Sequence, residues 1–227
     1  MKYAAYCMTK NIYHKVIPSL NSLLLNSSVD RVWLVIENNF VGFDLPNRVK
    51  IANAGWKNYF TKDGPNYNCQ WTYMCMMKVA LCKIFKDADR ILTLDLDTIV
   101  DQNIDELWDL NLDDYYFAGV TEPLKSDKMD YVNAGVIMWN LEKMRDGMAD
   151  NMIHHLNSFQ YNYPEQECMS KLCQGHILQI DSCYNASKFT EPTDEQKIRH
   201  FAAVYRWYED QPLVQKYKND GKVIITK

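Results

Sequence analysis

Strand and helix patterns alternate through the first hundred residues, and this alternation limits the fold more than any other feature. Residues 2–8 form a short apolar strand pattern, and residues 13–26 carry Val16, Ile17, Leu20, Leu23 and Leu24 at helical spacing. Residues 31–37 are a β-branched run, followed by a turn-rich stretch with Asn38, Asn39, Gly42 and Pro46. Residues 48–54 give a third strand, 61–68 an exposed loop, 69–85 a long helix and 90–94 the next buried strand. Strands separated by helices pair in parallel through right-handed crossovers. Further on, the spacing predicts a short helix over 104–110, strands over 116–121 and 132–139, and a helix over 141–158. The second half is therefore mixed, ending in a helical and loop-rich C-terminal part. With no low-complexity linker and no internal repeat, 227 residues read as one α/β domain spanning 1–227.

Composition narrows the class. Hydrophobic residues at 47% and charged residues at 24% are ordinary globular values, which excludes global disorder. A formal net charge of −4 argues against a nucleic-acid partner or an anionic membrane surface, because phosphate binding calls for a basic face. No stretch reaches the roughly 20 apolar residues of a spanning helix, and the first ten residues lack the apolar core and cleavage site of a secretion signal. Cys7, Cys69, Cys75, Cys82, Cys168, Cys173 and Cys183 are odd in number and show neither CxxC pairs nor zinc-finger spacing. They read as reduced packing thiols of a cytoplasmic protein, with Cys75 and Cys82 on one buried helix face. Met74, Met76 and Met77 read as core filler.

The chemistry-bearing stretch is Arg90-Ile-Leu-Thr-Leu-Asp95-Leu-Asp97-Thr-Ile-Val100, an apolar strand that ends in two acids one residue apart. Alternate side chains of an extended chain share a face, so both carboxylates converge on one point. Hard oxygen ligands at that edge suit Mg²⁺ or Mn²⁺ bound together with a diphosphate, and in open α/β sheets that edge is where ligands bind. Two like charges ending a buried strand are costly without a cation. An exposed Asp pair capping a turn is the bland alternative.

Four blocks in order carry a resemblance. Leu94-Asp95-Leu96-Asp97-Thr98 is followed by Tyr131-Val-Asn133-Ala134-Gly135-Val-Ile-Met-Trp-Asn140-Leu141, then Glu165-Gln166-Glu167, then Arg199-His200-Phe201-Ala-Ala203-Val-Tyr-Arg206-Trp207. Together they resemble the retaining glycosyltransferases of family 8, the group of glycogenin and the lipopolysaccharide galactosyl- and glucosyltransferases, over about residues 2–210. The resemblance implies a GT-A-like single domain with a mostly parallel central sheet flanked by helices. Residues up to about 100 would form the nucleotide-sugar-binding half, and residues 101–227 the acceptor and lid half. It further implies a hexosyltransferase that moves glucose or galactose from a UDP-sugar to a sugar, glycan or protein acceptor. Asp95, Asp97 and His200 would hold Mn²⁺, with Mg²⁺ as the alternative. Asp95 and Leu96 would also meet the donor. An imidazole beside two carboxylates favours Mn²⁺ over Ca²⁺.

The same resemblance sets Asn133, Ala134, Gly135, Glu165 and Gln166 beside the donor sugar. Gln166 would lie on the β-face of the anomeric carbon and stabilise an oxocarbenium-like centre during front-side departure of UDP. A covalent glycosyl-enzyme is the other retaining route. Lys78, 17 residues before Asp95, and Arg206 would be cationic partners of the diphosphate. Cys7, Thr9 and Asn11 would meet uracil and ribose, and Ala203 the phosphates. Departures are Ala203 where the family has Gly, Trp207 where it has Pro, Arg206 for Lys, and Glu-Gln-Glu for Asp-Gln-Asp. Two other readings compete: a catalytically degenerate nucleotide-sugar-binding protein, and a haloacid-dehalogenase-type phosphatase using Asp95, Asp97 and the pair Asp113-Asp114.

Overall fold

The structure, a computed structural model, describes residues 1–123 and 129–224. The strands expected of the first half form as β1 (Tyr3–Cys7), β2 (Arg31–Ile36), β3 (Val49–Asn53) and β4 (Arg90–Leu94). After them come β5 (Thr98–Val100), β6 (Phe117–Thr121), β7 (Val132–Asn140), β8 (Ile177–Gln179) and β9 (Ile198–His200). Seven strands make one sheet in the order β3-β2-β1-β4-β7-β6-β8, while β5 and β9 pair separately. The first four are parallel, β7 runs antiparallel to both β4 and β6, and β8 returns parallel to β6. The sheet is mostly parallel, and its reversal at β4–β7 is what the mixed second half foreshadows.

Strand alternation sorts the apolar side chains into a core on each face of the sheet. On β1, Ala4 and Tyr6 face one core while Ala5 faces the other; on β7, Val136 and Met138 oppose Ile137 and Trp139. The first core is roofed by helix α1 (Ile17–Asn26), which carries Pro18 in its first turn and buries Leu20, Leu23 and Leu24. Met74, Met76 and Met77 fill the second core. Every cysteine is a free thiol. Among the described residues no helix is long and apolar enough to cross a membrane.

Two helix expectations change. The 69–85 stretch stays irregular to Thr72, then coils as a 3₁₀ helix over Tyr73–Ala80 before a single α turn, α2 (Leu81–Ile84). Thr72, at φ 70°, cannot belong to a right-handed helix. With about three residues per turn, a spacing of seven no longer returns to the same side. Cys82 is accordingly buried in the core, whereas Cys75 is half-buried in the wall of the central cleft. The 141–158 helix breaks into α3 (Leu141–Met144) and α4 (Met148–Ser158) at Gly147, whose φ of 117° suits glycine alone. Helix α5 (Pro164–Leu172) and, near the C-terminus, α6 (Trp207–Asp210) and α7 (Pro212–Lys218) complete the helical set.

Candidate metal and sugar site

Asp95 leaves the end of β4 and Asp97 lies in the turn before β5, so the two carboxylates converge through a turn rather than along an extended strand. The turn is fastened from all sides. Asp95 N–H donates to Gly135 O at 2.8 Å, and Thr98 Oγ1 donates to Asp95 O at 2.8 Å. Behind Thr98 a buried hydroxyl ladder runs through Ser19 of α1 (3.0 Å) to Tyr6 of β1 (2.9 Å), and Ser22 of α1 accepts from Val100 N–H at 2.9 Å. These bonds explain why an otherwise apolar helix face carries serines.

His200 arrives by strand pairing. In the antiparallel β5–β9 ladder Thr98 is opposite His200, and Phe201 N–H donates to Asp97 O at 2.8 Å. His200 Nε2 therefore lies 3.3 Å from Asp97 Oδ1 and 3.9 Å from Asp95 Oδ2. Ligand atoms from all three residues fall within 4.8 Å of one another. The imidazole packs flat on the backbone of Gly135: a Cβ there would come within 2.1 Å of His200 Cε1. Glycine at 135 is thus required by the histidine itself.

A cleft of about 480 Å³ opens above these groups. On one side of it stand Asn133 and Ala134 of β7, Glu165 and Gln166 of the first turn of α5, and Glu122, just beyond β6. Gln166 is held at both ends of its amide: Oε1 accepts from Ala134 N–H at 2.8 Å, and Nε2 donates to Glu122 Oε1 at 3.1 Å. Asn133 Nδ2 donates to that same Glu122 oxygen at 2.7 Å, while its Oδ1 accepts from Gly135 N–H at 3.0 Å.

Charge is balanced within the site. Lys78 is only 2% exposed; its ammonium donates to Asp95 Oδ1 at 2.5 Å and Ala134 O at 3.0 Å, and lies 3.7 Å from Glu165 Oε1. Burial alone would lower its pKa, but Asp95 and Glu165 outweigh that and hold it above the ordinary lysine value. Burial likewise works to lower His200 and to raise Asp97. Their mutual attraction wins, so the histidine is raised and the aspartate lowered. Burial pushes the Cys7 thiol up to about 12, which leaves a neutral thiol in the cleft wall.

Of the residues expected at the site, Cys7, Asp95, Leu96, Asp97, Asn133, Ala134, Glu165, Gln166, His200 and Ala203 line the cleft. Gly135 lies behind the imidazole. Lys78 lies beneath the floor, committed to Asp95, and does not reach the opening. Thr9 and Asn11 do not line the cleft; Ile12 N–H closes a turn onto Thr9 O at 3.2 Å, which leaves Asn11 exposed, while Met8 and Ile12 take the wall. Arg206 also stays outside, its Nε 3.3 Å from Asp210 Oδ2 on the exposed first turn of α6. Asp113 and Asp114 are exposed and contribute nothing to the cleft wall.

Four contributors went unread in the sequence. Glu122 is an acid just past a buried strand, the same signal that singled out Asp95. Lys15 brings a cation to the cleft wall, and Trp71 and Tyr163 stack at its mouth with ring centres 6.1 Å apart. No local pattern marks them.

The fold has counterparts in solved structures. The galactosyltransferase LgtC, solved with donor and acceptor sugar analogues, aligns with a TM-score of 0.71 at 16% identity, covering 96% of this chain and 95% of that one. The glycosyltransferase GlyE of Streptococcus pneumoniae TIGR4 aligns at 0.65 and 15% identity over 100% of this chain and 65% of its own. Mouse xyloside xylosyltransferase 1 aligns at 0.62 and 15% identity, covering 89% and 97%. At such identities the likeness speaks for the fold, which is of the GT-A type. No curated protein sequence matches the chain. The family model described as Glycosyl transferase family 8 does, and it takes in residues 1–204. Since that match includes every cleft residue except Trp207, the chain belongs to glycosyl transferase family 8.

Proposed function

We propose that this protein is a retaining hexosyltransferase that moves glucose or galactose from a UDP-sugar to a hydroxyl of a sugar, glycan or protein acceptor, with Mn²⁺ as cofactor and Mg²⁺ as a weaker substitute. The observation that carries the reading is the convergence of Asp95, Asp97 and His200 ligand atoms within 4.8 Å on the floor of a cleft that also presents Gln166. Two carboxylates and an imidazole, brought together beside a buried lysine, fit a borderline divalent cation. When bound, such a cation would neutralise the diphosphate and favour its departure.

The chain's own groups do the rest. Asp95 and Asp97 are held by the β4–β5 turn, and Lys78 fixes Asp95 from below instead of meeting the diphosphate. Among the described residues that line the cleft, Lys15 is the ammonium available to a phosphate, while Arg206 lies outside the cleft and pairs with Asp210. Glu165 and Asn133 offer polar atoms to donor hydroxyls. Gln166 presents an amide whose oxygen already holds the Ala134 N–H. That favours electrostatic support of a cationic anomeric carbon over bond formation to it. In front-side departure the bond from anomeric carbon to phosphate oxygen breaks as the acceptor oxygen attacks on the same face, and the acceptor proton passes to the leaving phosphate. Trp71 and Tyr163 supply an apolar surface at the mouth for a sugar ring.

Residues up to about 100 would supply most of the nucleotide and metal contacts, and the later residues the sugar and acceptor contacts. His200 is the exception that ties the halves together. Seven unpaired thiols suit a reducing cytoplasm.

A thermal-shift panel of nucleotides and nucleotide sugars, with and without Mn²⁺, tests the reading. A ligand that binds only the native state raises Tm by mass action. Stabilisation by UDP or a UDP-hexose that requires Mn²⁺, with slow donor hydrolysis, supports it. Mn²⁺-dependent UDP binding with neither transfer nor hydrolysis would mark a degenerate binding protein. Stabilisation by phosphate analogues alone, with hydrolysis of a simple phosphate ester, would revive the phosphatase reading.

A further inference from the structure

Asn185 ends a 3₁₀ turn over Ser182–Asn185, between β8 and β9, and its side chain is fully buried. Its Nδ2 donates to Asn133 Oδ1 at 2.9 Å, and its Oδ1 faces His200 Nδ1 at 2.9 Å. The residue thus stands between the sugar side of the cleft and the metal side.

The direction of every bond in this chain is fixed from its far end. Gly135 N–H can only donate, so the Asn133 atom facing it is the oxygen. Asn133 Nδ2 then points to Glu122 Oε1, which also receives Gln166 Nε2. An Asn133 oxygen toward Asn185 requires the Asn185 amide nitrogen there, and the Asn185 oxygen is left for His200. Opposite an acceptor, His200 Nδ1 carries a proton; Nε2 faces a second acceptor, Asp97 Oδ1 at 3.3 Å, and a cation seated between Nε2 and the carboxylates leaves the proton of the neutral ring on Nδ1. The lone pair of the neutral ring is then on Nε2, the atom beside Asp95 and Asp97.

We infer that Asn185 is a positioning residue that holds His200 in the Nδ1–H tautomer, with Nε2 free for a divalent cation. We further infer that the Glu122–Asn133–Asn185–His200 chain couples this tautomer to the placement of Gln166. The inference rests on the reading of Asp95, Asp97 and His200 as a metal site. Outer partners of this kind hold ring orientation and basicity, and their removal weakens metal binding by about 10–100-fold. The backbone that carries this side chain is itself anchored, since Thr190 Oγ1 donates to the Asn185 main-chain carbonyl at 2.9 Å, and Ala186 N–H and O bond Ile198 and His200 on β9. The acceptor is therefore delivered by the same backbone pairing that delivers the histidine.

The test uses the full chain, labelled with ¹⁵N-histidine and saturated with Zn²⁺ as a diamagnetic stand-in for Mn²⁺, at a pH where the ring is neutral. Long-range ¹H–¹⁵N correlation should find His200 protonated on Nδ1 in the wild type. Asn185→Ala should weaken binding of Mn²⁺ alone, read by calorimetry, by about 10–100-fold. Asn185→Asp keeps an acceptor for Nδ1–H and should retain both the tautomer and Mn²⁺ affinity within several-fold. A wild-type ring protonated on Nε2 would overturn the assignment even if neither variant folds. Wild-type Mn²⁺ binding that Asn185→Ala leaves unchanged would remove Asn185 from the site and leave the metal reading standing. Absence of Mn²⁺ binding by the wild type would end the metal reading, and this inference with it.

Discussion

The floor of the cleft and its rim are built on opposite terms. On the floor, Asn133, Gln166, His200 and Lys78 are buried, and each makes at least two polar contacts within the same network. Around the rim, Tyr205 is 88% exposed, Ala203 and Arg206 take left-handed φ values of 52° and 51°, and Thr72 stands at 70°. Asn133, Gln166 and His200 of the floor match the family pattern while Glu165 beside them departs from it, and further departures, Ala203, Arg206 and Trp207, lie toward the rim. The groups proposed to meet a cation and a sugar come from β7, β9, α5 and the 3₁₀ helix and are held by bonds to one another, whereas the rim can vary without disturbing them.

If the floor is that rigid, the most damaging small change is one methyl group at Gly135. Its Cβ would fall 2.1 Å from His200 Cε1 and 2.4 Å from Nδ1, and the ring is too hemmed in to yield. Gly135→Ala should abolish Mn²⁺-dependent nucleotide binding and cost about 1–3 kcal/mol of stability. Calorimetry of Mn²⁺ binding together with a melting curve would check both, and near-normal binding would show that the imidazole can slide after all.

Removing the histidine is the next step down, because packing survives. His200→Ala should lower Mn²⁺-dependent UDP affinity by at least about 100-fold, with the far-UV spectrum unchanged. Asp97→Ala should match it. The pH dependence has a defined sign. His200 is raised above its ordinary 6.5, so in the metal-free protein its contribution is fully present below that value and is lost as pH rises through the folded value. Asp97 is lowered, so its contribution is present above its ordinary 3.8 and is lost as pH falls through the folded value. Mn²⁺ must displace the histidine proton, and the Tm gain from Mn²⁺ should therefore grow between about pH 6 and about pH 8. A gain that shrinks over that range would mean the cation is not bound through His200. Gln166→Ala should slow transfer by about 100-fold while leaving UDP affinity nearly unchanged, which single-turnover kinetics and calorimetry separate.

Much of this floor is legible in the sequence, for physical reasons that differ by residue. Asp95 and Asp97 announce themselves because two like charges at the end of an apolar strand are costly without a partner. The strands that position them are visible because burial on both faces leaves continuous apolar runs. Glu122 carried the same signal in weaker form, as a single acid. Asn185 carried none: its role comes from a long-range pairing, Ala186 against β9, that no local pattern records. The three-residue strands β5, β8 and β9 are too short to show a period at all. The 3₁₀ character of Tyr73–Ala80 escaped for a related reason, since a run that is apolar all round satisfies either helical repeat.

The rim gives the smallest expected effect and the sharpest test of the contrast. Ala203 stands where the family pattern carries glycine, yet its φ of 52° is a glycine conformation. An alanine in this conformation carries left-handed strain that a glycine would not. Ala203→Gly relieves about 1–2 kcal/mol of left-handed strain and gives back about 0.5–1 kcal/mol in unfolded-chain entropy. The two nearly cancel, so Tm should rise by no more than about 2–4 °C, and Mn²⁺ affinity should not move. Transfer rate should change by less than about threefold, roughly 0.7 kcal/mol of barrier. A tenfold change in Mn²⁺ affinity would mean that the rim sets the position of His200 through the intervening Phe201 and Ala202. The hydrogen bond from Val204 N–H to Phe201 O at 2.9 Å offers the route for such coupling, and also the reason to expect little of it. It closes a local turn on the rim side, while His200 is tied on the other side to Ala186 and Asn185.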